Sequence, residues 1–355
     1  MDRQWMLYGA TGYTGRPIVQ ECVRRGLRPV LAGRDAAALA GMAEPLGLAH
    51  VVVALDDGAN LAAALRGLAL VLHCAGPFSA TSAPMRKACL AAGAHYLDIT
   101  GEIDAFVDAQ AQDTPARAAG VLLCPGVGFD VVPTDCVAAC LRQALPDANQ
   151  LTLGFSGLDS LSAGTTVTSM EAVFRGRTRV RQDGRIVDIP FGERDRKADF
   201  GRGLEPSYAI PWGDVATAYW STGIPDIEVL VPRRSPGARA IRAMLPLREL
   251  LAGPGMRGFA YGLLRRLANG PSAGRRAREQ TRIWGEARNA AGQVALTSLQ
   301  TPNGYTLTVL TALMAVRHVL EMEPGTAGGY RTPTQLMGPR CIEQVEGVGQ
   351  IVVER

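Results

Sequence analysis

Three glycines at intervals of three, Gly9, Gly12 and Gly15, stand where an apolar run stops and helical spacing begins. The run before them, Trp5-Met6-Leu7-Tyr8, reads as a buried strand, and from Arg16 to Val23 apolar residues recur at helical intervals. A strand-to-helix turn of this kind has a chemistry of its own. With no side chains in the way, its amides and the positive end of the helix can close on a pyrophosphate. The spacing therefore points to a dinucleotide site built on Gly9, Thr11, Gly12, Tyr13, Thr14 and Gly15. Pro17 suits the first turn of the helix, and Gly26 suits its end.

The next chemical position is Arg34, directly after the apolar run Pro29-Val30-Leu31-Ala32-Gly33. An acidic residue there would bond the ribose hydroxyls of NAD, whereas an arginine can pair with the 2′-phosphate of NADP. Gly33 and Arg34 thus join the cofactor set, and NADP(H) is the expected cofactor. Asp35 opens an alanine-rich helical segment and reads as its N-cap. Asp56 and Asp57 end the strand His50 to Leu55; a place near the adenine and a capping role for the following helix explain them equally well. The strand Leu68 to Cys74 runs into Ala75-Gly76-Pro77-Phe78, a small rigid loop on the edge where ribose and nicotinamide lie. Proton donors are sought near strand ends, at Tyr96, Asp98, Asp130 and Asp135, the last of which also fits as an N-terminal helix residue. His73, inside its strand, reads as a core histidine.

To hold these positions together the chain needs a sheet. Six strands alternate with helices up to Cys124, which argues for a Rossmann-type, doubly wound parallel sheet over residues 1–130. A length of 355 residues leaves room for a second domain. An alpha+beta substrate or dimerisation domain is expected over 131–322. It would contain strands near Gln150–Phe155, Arg185–Ile189 and Ile227–Val231, a helix near Thr165–Phe174, and a hairpin of Thr281–Arg288 with Gln293–Gln300. The amphipathic helix Thr306 to Leu320 follows.

Composition removes several alternatives. The seven cysteines are scattered without CxxC pairs, which suits reduced thiols. Histidines 50, 73, 95 and 318 share no metal-ligand spacing, so no metal is expected. Lys87 and Lys197 are the only lysines, and their positions exclude both a YxxxK dehydrogenase pair and a GxxxxGK phosphate loop. Gly154-Phe155-Ser156-Gly157 is one residue short of a nucleophile elbow. No apolar run is long enough to span a bilayer, and a cytoplasmic protein, at most peripheral to a membrane, is expected.

The stretch from Arg233 to Arg282 carries twelve arginines against Glu249 and Glu279. Large apolar residues such as Phe259 and Leu263 are mixed among them. The segment reads either as a solvated cover or as a face for an acidic carrier protein or an anionic membrane surface. No nucleic acid is expected, because no binding fold accompanies the charge.

The runs GATGYTG, LAGR, HCAGPF, HYLDITGE and PGVGFDVVPTD, continued by IPWGDVAT, STGIP, PNGYTLT and GYRTP, resemble the saccharopine dehydrogenase-like oxidoreductases. That group includes trans-acting enoyl reductases of lipid synthesis, and the resemblance spans nearly the whole chain. It implies an NADP-type Rossmann domain, a separate alpha+beta domain, and a C-terminal segment, 323–355, folding back on the first. It brings no agreed catalytic residue, and no set of groups for two amino-acid carboxylates matches here. The leading expectation is an NADPH-dependent reductase of a conjugated C=C or C=N bond in an apolar small-molecule or acyl-type substrate held between the domains. The alternative is a non-catalytic NADP-binding sensor or scaffold. A homodimer is compatible with either.

Overall fold

A computed structural model describes residues 3–157, 176–201, 203–235, 239, 242, 274, 278–323, 325 and 328–355. The chain forms two compact units, Met1–Val132 with Leu307–Gly338, and Pro133–Thr306 with Pro339–Arg355.

In the first unit, strands β1 (Trp5–Tyr8), β2 (Val30–Gly33), β3 (His50–Val52), β4 (Leu70–His73), β5 (His95–Asp98) and β6 (Leu122–Cys124) alternate with helices. These are α1 (Gly15–Arg24), α2 (Ala36–Leu46), α3 (Gly58–Leu65), α4 (Phe78–Ala92), α5 (Ile103–Gln110) and α6 (Asp113–Ala118). All strands are parallel, and their order across the sheet is β6-β5-β4-β1-β2-β3. A seventh strand, Gly329–Tyr330, adds parallel to β6. The reversal of strand order falls between β1 and β4, so the glycine turn and the loop after β4 share one edge of the sheet.

The helices form where the sequence supplies both a buried stripe and an end. Ile18, Val19 and Cys22 of α1 are buried together. The helix stops where Gly26 takes a φ of 72°, and the Leu27 amide returns to the Cys22 carbonyl. Asp35 and Asp57 each accept a hydrogen bond from a backbone amide of the helix they precede, those of Ala38 and Asn60. The single helix expected from Ile103 to Ala119 is two, α5 and α6, divided at Ala111-Gln112.

One face of the sheet is covered by α1, α2 and the helix Gly304–Glu321, whose Val309, Ala312, Leu313, Val316 and Val319 share a core with Ile18, Leu31 and Leu72. Burying each valine, leucine or isoleucine side chain among them is worth about 1.5–3 kcal/mol. The C-terminal return to this unit thus spans 307–338, beginning earlier than the expected 323 and ending before 355.

The second unit is a mixed sheet. Its main path runs β10 (Asp195–Asp199), β11 (Leu204–Ala209), β12 (Asp226–Pro232), β7 (Gln150–Ser156), β13 (Gln280–Arg288), β14 (Val294–Pro302) and the strand Val352–Glu354. Strand β8 (Arg177–Gln182) pairs with β12 and with β9 (Arg185–Pro190). Helix α7 (Val132–Ala144) packs closely at Gly285 in the middle of β13, where an added Cβ would stand 2.5 Å from Val137 Cγ1. The expected hairpin is β13–β14, and it turns at Gly292 with a φ of 80°. The expected helix Thr165–Phe174 and the basic segment, apart from its ends and a few isolated positions, lie outside the described residues.

Candidate functional site

The glycine turn divides its work among three positions. Gly9 has a φ of 83°, and a Cβ there would stand 2.9 Å from the Ala75 nitrogen, so the turn lies directly against the loop after β4. At Gly15 a Cβ would come 2.2 Å from the Gly9 carbonyl oxygen, which reserves this position for close approach of helix to strand. Gly12 is different: it is exposed, and an added Cβ would meet only the Gly9 carbonyl oxygen, at 3.2 Å. The first glycine makes the turn, the third packs it, and the middle one leaves open space above the backbone. This is the division that a pyrophosphate-binding turn requires. No side chain caps α1 and its first turn holds no acidic residue, so its positive end is available to an anion. Thr11, Tyr13 and Thr14 complete the turn, with Tyr13 38% exposed, and the Arg16 side chain folds back on the Thr11 carbonyl at 2.9 Å.

A second helix begins on the same edge, but its positive end is filled. The Glu102 carboxylate, from the loop after β5, accepts the amides of Phe78 at 2.8 Å and Ser79 at 2.7 Å, the first two residues of α4. Charge therefore steers a phosphate to α1 rather than to α4. Ala75, Gly76 and Pro77 form the loop before α4, with Gly76 and Pro77 exposed and Phe78 buried.

At the opposite side of the turn, Gly33 ends β2 and its carbonyl accepts the Val53 amide at 2.9 Å. Arg34 follows, exposed and without a carboxylate partner among the described residues. Its charge and that of Asp56 act in opposite senses on Tyr8, whose hydroxyl donates to the Val53 carbonyl at 3.0 Å. Burial is the larger influence on that phenol and raises its pKa. A cavity of about 380 Å³ beside Arg34 is lined by Val53, Ala54, Asp57 and Asn60. Positive charge at the end of β2, next to a recess of this size, suits a phosphorylated adenosine.

The four proton-donor candidates fall in three environments. Tyr96 is fully buried, and its hydroxyl donates to Asp98 at 2.6 Å; burial, followed by the Asp98 charge, raises the phenol pKa well above its ordinary value. Asp98 also accepts the amides of Thr100 and Gly126, so the Tyr96–Asp98 pair ties the ends of β5 and β6 together. Asp135 belongs to the second unit, at the start of α7, and accepts a hydrogen bond from the Ser221 hydroxyl. Asp130 lies in the first unit, half-buried in the loop after β6, against Gly101 and near Glu102. Burial first, and the Glu102 charge second, push its carboxyl up to about 7. The structure places Asp130 beside Glu102, whose carboxylate holds the start of α4, and Asp135 in the other unit.

Sequence reasoning missed Glu102. Its place inside HYLDITGE gave no sign that it reaches back to cap a helix starting 24 residues earlier. His73 is a core residue as expected: its Nε2 meets the Ala75 carbonyl at 2.9 Å, and burial lowers its pKa to about 4, so it stays neutral. Among the described residues no group of side chains could hold a metal ion, and no helix is long and apolar enough to cross a membrane.

Comparison with known proteins finds a domain of the same kind. Residues 5–123 match the saccharopine dehydrogenase NADP binding domain. That stretch of the chain is thus similar to a domain of the saccharopine dehydrogenase family, and NADP(H) is the cofactor of that domain. A trans-acting enoyl reductase of Mycobacterium bovis is 31% identical over 244 residues, covering 61% of this chain and 57% of that one. A Mycobacterium tuberculosis protein with a provisional name of the same kind is 33% identical over 223 residues, covering 57% of this chain and 51% of that one. The chain thus spans about half the length of the curated relatives it matches. Saccharopine dehydrogenase (L-Glu forming) from Saccharomyces cerevisiae has the same fold, with a TM-score of 0.63 over 99% of both chains at 11% identity.

Proposed function

We propose that the protein is an NADPH-dependent reductase acting on a conjugated C=C bond, or a C=N bond, of an apolar substrate, free or attached to a carrier. The observation that carries this reading is the glycine turn, open at Gly12 and backed by the uncapped end of α1, on the same sheet edge as a carboxyl group that holds its proton near neutral pH. The names of the mycobacterial relatives favour the C=C bond.

In this reading Gly9, Gly12 and Gly15 with Thr11, Tyr13 and Thr14 bind the pyrophosphate, and Gly33, Arg34 and Asp56 hold the adenosine end. Ala75 to Phe78 lie along the ribose and nicotinamide. NADPH, when bound, supplies the hydride. The chain orients it, excludes water and stabilises developing charge. Mixing the protein with NADPH and a panel of enoyl thioesters and imines tests the proposal. Oxidation of NADPH with at least one class of substrate is the expected result, and none with any of them rejects it.

A further inference from the structure

A double bond that takes up hydride also needs a proton. Resting on the reductase reading, we propose that Asp130 is the proton donor and that Glu102 is the positioning residue that keeps it in its acid form.

The Asp130 side chain lies so close over the Gly101 backbone that an added Cβ there would be 2.5 Å from Oδ2 and 3.0 Å from Cγ. Residue 101 must therefore be glycine for the Asp130 side chain to sit where it does. The backbone on either side is held as well. The Phe129 amide donates to Thr308 Oγ1 at 3.0 Å, and the Val132 amide to the Gly128 carbonyl at 3.0 Å. Yet the carboxylate itself has no hydrogen-bond or ion-pair partner among the described residues. A carboxylate fixed in place, half-buried and given no donors, has its charged form disfavoured by desolvation.

Glu102 adds to this. Its own carboxylate takes two amides at the positive end of α4, an arrangement that suits an anion. A carboxylate held there opposes a second negative charge on its neighbour, and the Asp130 carboxyl, which has no donors, is pushed toward its protonated form. Glu102 is the charged group that acts on Asp130; its neighbour Gly101, and Thr308 on the helix packed beside this loop, carry no charge. A donor whose value lies near the working pH is suited to general acid catalysis, and about 7 meets that condition. Tyr96 and Asp135 do not compete on these terms, since the first is locked to Asp98 and the second belongs to the other unit.

The step balances. Hydride brings two electrons to one atom of the double bond, the π pair moves to the other atom, and that atom takes the proton from the Asp130 carboxyl. NADP⁺, the reduced product and an Asp130 carboxylate remain, and water returns the proton.

Two readouts on the full chain test this, with Asp130→Asn and Glu102→Gln. The first needs no turnover. Binding of NADP⁺, with its positively charged ring, should expel the Asp130 proton at a pH just below about 7. Calorimetry in two buffers of different ionisation enthalpy should show release of up to about one proton per cofactor in the wild type. In Asp130→Asn that release should vanish. The same release from Asp130→Asn overturns the proposal. The second readout is the pH profile of NADPH oxidation. Asp130→Asn should be at least about 100-fold slower, and Glu102→Gln should move the alkaline limb to lower pH.

If the wild type turns over and Asp130→Asn keeps its rate and profile, the donor assignment fails while the reductase reading stands. If proton release depends on Asp130 but no substrate is reduced, the reductase reading fails, and with it the assignment as donor. Should Asp130→Asn not bind NADPH, Glu102→Gln decides alone: an unchanged proton release overturns the proposal.

Discussion

Glu102 accepts the amides of Phe78 and Ser79 with its two carboxylate oxygens, so a residue at the end of β5 caps the helix that follows β4. Replacing it with alanine leaves two amides of α4 without their acceptor. Glu102→Ala should lose about 1–2 kcal/mol of stability, as helix-cap deletions do. Urea unfolding measures this, and an unchanged midpoint would show that the cap contributes nothing.

The glycine turn makes two opposite predictions at residues three apart. Gly15→Ala puts a methyl group 2.2 Å from the Gly9 carbonyl oxygen and should destabilise the first unit, visibly in thermal unfolding. Gly12→Val brings its Cβ 3.2 Å from the Gly9 carbonyl oxygen and against nothing else, a milder crowding than at Gly15, and should leave the fold intact while blocking the cofactor. Circular dichroism with cofactor fluorescence separates the two outcomes. A folded Gly12→Val protein with unchanged NADPH affinity would count against the site.

Much of this site was legible because its signals are local. A glycine spacing, a strand end at Arg34 and a capping aspartate at residue 35 are each decided within a few residues, and the six strands before Cys124 announce themselves by continuous apolar runs. What was not legible depends on distant partners. The strand Gly329–Tyr330 has two residues and no pattern of its own; it exists because the exposed side of β6 offers it hydrogen bonds. Strands β8 and β10 are rich in arginine, lysine and aspartate, and β11 is interrupted by Glu205 and Pro206, so periodicity marked none of the three. The helix Asp214–Thr222 was hidden because its side chains, Asp214 and Thr217 among them, are mostly buried and show little contrast between faces.

Arg34 should decide the choice of cofactor. It is exposed and unpaired among the described residues, so its fork of donors is available to a 2′-phosphate. Arg34→Ala should weaken NADPH by roughly 1.5–3 kcal/mol and leave NADH nearly unchanged. Calorimetric titration with both cofactors is the check, and equal losses would remove Arg34 from the site.

Asp130 also predicts a pH dependence of stability. Its folded value of about 7 lies above the roughly 4 of an unfolded aspartate, so the folded protein binds this proton more tightly. The stabilising contribution is complete below pH about 4 and is lost as pH rises through about 7. Asp130→Asn, which cannot ionise, should gain in melting temperature relative to the wild type across that window and keep the gain above it. A constant difference at all pH values would mean that the carboxyl does not titrate there.

The segment from Arg233 to Arg282 is proposed, from its charge and its large apolar residues, to meet an anionic partner. Attraction by exposed charges should weaken with salt, since screening shortens to about 8 Å at physiological ionic strength. Flotation with anionic vesicles and pull-down with an acidic carrier protein, each at low and high salt, compare the two candidates. Retention of neither at low salt would make the segment a solvated cover.

The central claim is that this chain moves hydride from NADPH to a substrate double bond, and isotope transfer tests it most directly. NADPH carrying deuterium at the transferring carbon would be incubated with the protein and the panel of enoyl thioesters and imines, and the products analysed by mass spectrometry. The account predicts one deuterium on carbon of a reduced product, at a rate that Gly12→Val abolishes. NADPH bound with ordinary affinity, but no label in any product across the panel, would contradict it.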